Sequence, residues 1–195
     1  MMIKVGVTGG IGTGKSVVCR IFNLLGIPVY DADSAAKRLM ETDDALKEKI
    51  VSAFGNIFTG KGAVDRQRLA SLVFNDPEKL AVLNSIVHPA VKLDYTQWEQ
   101  QQKSKYIIRE SAILFESGTD KGLDYVITVS APAELRVKRV MQRDGRTAEQ
   151  VNDIMKRQLA EQQKQDKADF IIINDSVNAL LPQVWSLHET LSHEN

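Results

Sequence analysis

Apolar residues fall along this chain in two patterns, short continuous runs and helical spacings, which follow one another in turn. Runs rich in β-branched residues predict strands at residues 3–8, 27–30, 106–108, 125–129 and 170–173. The first run is followed by Val18, Ile21, Phe22 and Leu25 at helical spacing, closed by Gly26. Strands and helices that alternate in this way predict an α/β fold, with a parallel five-stranded sheet and helices on both faces.

Two stretches depart from this alternation. Residues 34–104 hold roughly four helical patterns and no convincing strand, with one helix starting at Asp76-Pro77 and another following His88-Pro89. Residues 145–167 are strongly charged and open on Thr147 and Gln150, which match a capping box. We interpret the first stretch as a helical insertion that binds an acceptor substrate, and the second as a helical lid.

The remaining residues form the predicted core of the fold, namely residues 1–33, 105–144 and 168–195. The chain holds no internal repeat, low-complexity tract or linker. We therefore expect residues 1–195 to form a single domain rather than independent ones.

The composition excludes several classes of protein but does not identify the function. The 195 residues carry 25 Lys and Arg against 25 Asp and Glu, and zero net charge argues against a protein that coats nucleic acid. One cysteine excludes a disulfide-stapled secreted scaffold. Since the N-terminus resembles no signal peptide and no apolar run reaches membrane-spanning length, we expect a cytoplasmic protein with no membrane partner. A monomer is expected, although the sequence leaves oligomeric state open.

The segment that follows the first predicted strand carries the most specific chemistry. Residues 9–16, GGIGTGKS, fit G-x-x-x-x-G-K-[ST] between a strand and a helix. Glycines let backbone N–H groups surround phosphate oxygens, Lys15 reaches the β- and γ-phosphates, and Ser16 offers its hydroxyl to Mg²⁺. ATP and Mg²⁺ are thus the predicted cofactors. The predicted phosphate-binding residues are Gly10, Ile11, Gly12, Thr13, Gly14, Lys15, Ser16 and Val17.

A phosphate-binding loop (P-loop) of this kind occurs in several classes of protein, and other sequence motifs distinguish these classes. No Asn-Lys-x-Asp guanine reader and no Leu-Ser-Gly-Gly-Gln transporter segment occurs. A small phosphotransferase fits best, and it requires an acceptor site, an acid near the γ-phosphate and cations from a lid. A nucleotide-driven switch is the alternative from another class.

Acidic residues follow two of the predicted strands. Asp31 and Asp33 come at the end of the second strand, where an extended chain would place both carboxylates on one face. We interpret Asp33 as the base for an acceptor hydroxyl, and the alternative is a solvated turn or helix cap. Glu110 ends the third strand, where it could order Mg²⁺ water or lie at the surface.

A basic stripe follows the fourth strand. Arg136, Arg139 and Arg143 fall at helical spacing after Pro132, so the pattern places them along one face of a helix. Charge runs are usually solvated faces. The position of this stripe before the predicted lid favours a role on the transferring phosphate.

Taken in order, these residues resemble the dephospho-CoA kinase family along nearly the whole chain. The features that carry the resemblance are residues 8–16, Asp31-Ala32-Asp33, residues 62–66 with Leu69, Val73 and Phe74, His88-Pro89, residues 114–116, Arg139 with Arg143-Asp144, Gln158, and Ala168-Asp169 leading to Asn174. The phosphate loop alone is shared by many families. The Asp-Ala-Asp, Asp-Arg, His-Pro and Ala-Asp…Asn series is far more specific.

The resemblance implies transfer of the ATP γ-phosphate to the ribose 3′-hydroxyl of dephospho-CoA, the last step of coenzyme A synthesis. It implies catalytic roles for Lys15, Asp33 and Arg143. Arg139 and Asn174 would lie on the ATP side, with Asn174 near the adenine. Lys37, Arg66 and His88 would lie on the acceptor side. A nucleoside or nucleoside monophosphate kinase is the alternative.

Three positions depart from the family pattern. Ala112 replaces a frequent proline, which puts the local backbone and a metal role of Glu110 in question. Lys37 replaces a common arginine, so the charge is kept but the bidentate fork is lost. Ser176 stands where glycine is frequent.

Overall fold

The fold is built on a single parallel sheet. The computed structural model describes residues 2–55, 57, 64–74 and 76–193. Its strands are β1 (Ile3–Thr8), β2 (Val29–Asp31), β3 (Tyr106–Glu110), β4 (Tyr125–Ser130) and β5 (Phe170–Ile173), in the order β2-β3-β1-β4-β5. Every neighbouring pair runs parallel. The predicted five-stranded parallel sheet is confirmed.

The helices divide between two compact units, formed by residues 1–31 with 102–195 and by residues 32–101. In the first unit they are α1 (Lys15–Leu24), α6 (Ala133–Asp144), α7 (Ala148–Lys156), α8 (Glu161–Lys167) and α9 (Leu180–His193). In the second they are α2 (Ala32–Thr42), α3 (Asp44–Phe54), α4 (Arg66–Phe74) and α5 (Pro77–Gln100). The predicted capping box of Thr147 and Gln150 begins α7.

Helices cover both faces of the sheet. On one face, Phe22 of α1 and Leu191 of α9 belong to the same core cluster as Val5 and Val7 of β1, and all four are fully buried. Burial of side chains of this size stabilises the fold by about 1.5–3 kcal/mol each. On the other face, the Thr128 hydroxyl of β4 donates a hydrogen bond to the backbone carbonyl of Lys164 in α8. Because the strands run parallel, their carboxyl ends all lie at the same end of the sheet, which is where α/β folds bind ligands.

Strand β5 lies at an outer edge of the sheet, so one side of its backbone has no neighbouring strand among the residues that the structure describes. Gln183 of α9 bonds both backbone groups of Ile173 there. Its Oε1 accepts from the Ile173 N–H at 2.8 Å, and its Nε2 donates to the Ile173 carbonyl at 2.9 Å. A side-chain amide thus takes the place of a strand at this position.

The structure corrects the expected extended Asp-Ala-Asp segment. Strand β2 ends at Asp31, and Asp33 lies in the first turn of α2. The strand alternation that predicted one shared face therefore does not apply. A carboxylate in the first turn also stabilises a helix, because the N-terminal end of its dipole is positive.

The predicted break at His88-Pro89 is wrong. Pro89 lies inside the single helix α5, which runs from Pro77 to Gln100. Proline removes one backbone hydrogen bond from a helix interior. Val87, Val91 and Tyr95 are buried at four-residue intervals across the proline, so packing along one face holds the helix together.

Candidate active site

The loop between β1 and α1 is held by side chains outside it. Gly14 has a φ of 92°, and a β-carbon there would collide with the Asn174 amide. That amide donates from Nδ2 to the Thr13 carbonyl at 2.7 Å. Thr13 in turn donates from Oγ1 to the Gly10 carbonyl at 2.9 Å. The loop therefore has its shape fixed before any ligand arrives.

Two backbone N–H groups of this loop have no acceptor in the described part of the chain. Within residues 2–55, 57, 64–74 and 76–193, no group accepts from the N–H of Gly12 or Gly14. Helix α1 begins at Lys15, so the positive end of its dipole adds to these donors. This combination attracts anions, phosphate above all.

Ser16 and Glu110 meet at the base of the loop. The Ser16 hydroxyl donates to Glu110 Oε1 at 3.1 Å. Glu110 is only 6% exposed, so the alternative of a surface glutamate is wrong. The sheet register brings Asp31 of β2 opposite Glu110 of β3.

Opposing influences act on the pKa of the Glu110 carboxyl. Burial raises its pKa and the Asp31 charge raises it further, whereas Lys15 and the hydrogen bonds from Ser16 and Cys19 lower it. The net direction is upward, so the charged form lacks sufficient compensation from the protein. A cation at this position would supply it. Burial and Glu110 also raise the pKa of the Cys19 thiol, which keeps that buried cysteine protonated and inert.

The three stripe arginines have three different surroundings. Arg136 is 5% exposed and donates from Nε to the Ile11 carbonyl at 2.9 Å. Arg139 donates to the backbone and side-chain oxygens of Asn174, both at 3.1 Å. Arg143 is largely exposed and holds Asp144 with both ends of its fork. Its predicted catalytic role stays a prediction.

Residues of the predicted lid contact other parts of the first unit, to which the lid itself belongs, at several points. Gln158 Oε1 accepts from the Ile11 N–H at 2.9 Å. Glu161 pairs with Arg136 at 2.8 Å. Lys164 is fully buried, with Nζ 2.8 Å from Glu116 and 2.9 Å from the Ala112 carbonyl. Ala112, where the family pattern has proline, thus serves through its backbone, a contact that proline could also make.

The predicted acceptor-side residues all fall in the second unit. Asp33 and Lys37 stand four residues apart on α2, so they share a face of that helix. His88 lies inside α5, and Arg66 begins α4. The side chain of Arg66 and residues 62–63 of the same motif lie outside the described residues.

Sequence reasoning missed the roles of Arg136, Gln158 and Lys164. Helical spacing grouped Arg136 with its neighbours, and nothing in the pattern distinguishes Lys164 from the other charged residues of the predicted lid. Gly10 was one available signal, because a β-carbon there would collide with Arg136. Gln158 was another, because it is among the features that carry the family resemblance. Among the described residues, no cluster of three His, Cys, Asp or Glu could hold a metal, and no helix is both long and apolar enough for a membrane span.

Comparison with known proteins shows the family of this chain. A model of the dephospho-CoA kinase family matches residues 3–179. Dephospho-CoA kinase of Porphyromonas gingivalis is 42% identical over 191 residues, covering 97% of this chain and 95% of its own. Dephospho-CoA kinase from Campylobacter jejuni has a solved structure that aligns with a TM-score of 0.70 at 30% identity, covering 98% of each chain. Protein TT1252 from Thermus thermophilus aligns with a TM-score of 0.87 at 33% identity, covering 100% of this chain and 98% of its own. This chain is a kinase, and it belongs to the dephospho-CoA kinase family.

Proposed function

We propose that this enzyme transfers the γ-phosphoryl group of ATP to the ribose 3′-hydroxyl of dephospho-CoA, giving coenzyme A and ADP. Within the family resemblance, the observation that carries this proposal is the preformed loop of residues 9–16, with Ser16 bonded to the buried Glu110. This is the last step of coenzyme A synthesis, and both substrates are small molecules.

The nucleotide side of the reaction falls to the first unit. Lys15 supplies a charge that follows the transferring phosphoryl group, and the N–H groups of the loop hold its neighbours. Asn174 positions the loop through the Thr13 carbonyl and is itself held by Arg139. That pair is the proposed boundary of the adenine site.

Ser16 and Glu110 fit Mg²⁺, which prefers oxygen ligands and keeps several waters. The hydroxyl would bind the ion, while the carboxylate would order its water, and the raised pKa of Glu110 marks a charge that needs a cation. When bound, the ion neutralises the charge that develops on the phosphates.

The acceptor side falls to the second unit. Asp33 in the first turn of α2 accepts the proton of the 3′-hydroxyl as the new bond to phosphorus forms. Lys37, four residues further on, offers a cation to the acceptor's own phosphates. Arg66 and His88 complete the proposed acceptor set.

The test is a panel of acceptors incubated with Mg²⁺-ATP, containing dephospho-CoA, adenosine and common nucleoside monophosphates. We expect one ADP for each coenzyme A formed, with turnover on dephospho-CoA alone. Stoichiometric turnover on another acceptor would show a different kinase. Slow ADP release regardless of acceptor would show a nucleotide switch.

Two variants locate the chemistry. Lys15→Ala should lower kcat by about 10³-fold or more with the fold intact. Asp33→Asn should lower kcat about 10²- to 10⁴-fold with little change in ATP affinity. Normal turnover of Asp33→Asn with a tenfold loss of ATP affinity would instead make Asp33 a residue of the metal shell or a helix cap.

The proposed setting is the cytoplasm, and the proposed assembly is a monomer. The single cysteine of the chain, Cys19, is buried and unpaired, so the fold uses no disulfide. Proteins of reducing compartments are built in this way.

A further inference from the structure

Both backbone polar groups of Ile11 are bonded to side chains far away in sequence. The Ile11 N–H donates to Gln158 Oε1, and the Ile11 carbonyl accepts from Arg136 Nε, each at 2.9 Å. Ile11 lies in the phosphate-binding loop. One of the loop's own N–H donors is therefore already occupied by a protein acceptor.

The side chains that bond Ile11 are held in place by their own surroundings. Arg136 is 5% exposed and is held by Glu161, with Nη1 2.8 Å from Oε2. A β-carbon on Gly10 would collide with the Arg136 guanidinium and approach Gln158 Oε1 to 3.2 Å. Only glycine at position 10 lets both side chains reach Ile11.

The backbone around Gln158 is fixed from both directions. The Gln158 N–H donates to the Met155 carbonyl at the end of α7 at 3.2 Å. The next N–H, of Leu159, donates to Glu116 Oε1 at 2.9 Å, and the same oxygen pairs with the buried Lys164. The amide of Gln158 is thus delivered to Ile11 by an anchored segment.

We infer that Gln158 and a phosphate of the nucleotide compete for the Ile11 N–H, which makes Gln158 a positioning residue of the ligand-free loop. The inference rests on the proposed function, since it needs a nucleotide in this loop. A phosphate oxygen carries charge and accepts more strongly than a neutral amide, so the nucleotide displaces Gln158. Arg136 keeps its bond to the Ile11 carbonyl and holds the loop during the exchange.

Competition has a measurable cost for the ligand. The bond between Gln158 and Ile11 stabilises only the ligand-free form, so it weakens the apparent affinity for nucleotide. A variant that lacks this bond should bind nucleotide more tightly by the same factor. A net hydrogen bond of ordinary strength corresponds to about 2- to 10-fold in affinity.

Two near-isosteric replacements separate competition from a structural role. Gln158→Met removes the acceptor, so ATP and ADP should bind about 2- to 10-fold tighter. Gln158→Glu places a carboxylate on the N–H, which strengthens that bond and repels phosphate, so binding should weaken by about 10-fold or more. A side chain that only supports the fold would shift both variants in the same direction.

The experiment is titration calorimetry of the full chain with Mg²⁺-ATP and Mg²⁺-ADP. Gln162→Met is the matched control, since it makes the same change on the exposed face of α8, where Gln162 Nε2 donates to Asp166. Its affinity should stay within twofold of that of the unchanged protein. Thermal unfolding of each variant checks that it is folded.

Opposite shifts in the two Gln158 variants support the inference. Shifts of the same sign, or affinities for both within twofold of the unchanged protein, overturn it while the proposed function stands. Failure of the unchanged protein to bind Mg²⁺-ATP would overturn the proposed function itself.

Discussion

Lys164 offers the sharpest test of how the predicted lid is fastened. Its side chain is fully buried, and Nζ bonds Glu116 Oε1 at 2.8 Å and the Ala112 carbonyl at 2.9 Å. We choose Lys164→Met, because methionine keeps the length of the side chain and removes its charge. The change leaves a carboxylate and a carbonyl without their donor.

The expected cost follows from burial. Removing one partner of a buried ion pair costs about 3–5 kcal/mol, because the other charge stays desolvated. Glu116 keeps 20% side-chain exposure and its bond from the Leu159 N–H, so we expect about 3 kcal/mol, the lower end of that range. For a domain of this size, that loss lowers the melting temperature by about 6–12 °C.

The assay is thermal and urea unfolding beside a matched control. Lys156→Met makes the same replacement on α7, where Lys156 is 77% exposed and 3.6 Å from Asp153. Exposed pairs of this kind contribute little, so the control should change the free energy of unfolding by less than about 0.5 kcal/mol. The double variant Lys164→Met with Glu116→Gln should recover at least half of the loss, since it removes the stranded charge.

Two results would each contradict this reasoning. If Lys164→Met costs no more than Lys156→Met, then α8 is not fastened through this pair and the whole charged segment is loosely attached. A double variant less stable than Lys164→Met alone would also contradict the stranded-charge explanation.

Three further predictions address the site. The pKa of Glu110 is raised in the folded state, so its contribution to stability is complete below the unfolded pKa and is lost as pH rises through the folded pKa. Without metal, the melting temperature of Glu110→Gln should therefore rise relative to that of the unchanged protein from pH 4 to pH 8. Mg²⁺-ATP should stabilise that variant less than it stabilises the unchanged protein. Ser176 has a φ of 68°, so Ser176→Gly should raise the free energy of unfolding by about 0.5–1 kcal/mol, and a lower value would show that its bond to Arg139 outweighs the strain. Arg143→Ala should lower kcat about 10-fold or more with ATP affinity within about threefold, and equal protease sensitivity of residues 145–167 with and without bound nucleotide would contradict the lid.

The sheet and the phosphate loop could be predicted from sequence because their signals are local. A buried parallel strand must be an apolar run, and phosphate binding requires glycines and a lysine at fixed spacing. The position of Glu110 at the end of β3 followed from the same pattern. Its contact with Ser16 did not, since sheet order decides which strand ends lie beside the loop.

Environment decided what the sequence could not. Helical spacing correctly placed Arg136, Arg139 and Arg143 on one helix, yet one is buried against the loop, one holds Asn174 and one is exposed. Charge alone gives the three residues identical expectations. Likewise, the tertiary packing of α5 overrode the local preference of Pro89.

The amide of Gln183 at the edge of β5 affects the tendency of this protein to aggregate. An uncovered strand edge with apolar side chains is a template for pairing between molecules, and Ile171 and Ile173 are 46% and 45% exposed. Gln183 occupies the outward N–H and carbonyl of Ile173, so an incoming strand finds both groups already bonded. Gln183→Leu should thus aggregate faster on mild heating, as measured by light scattering, with its melting temperature little changed. In that case one side chain keeps concentrated protein in solution without contributing to catalysis.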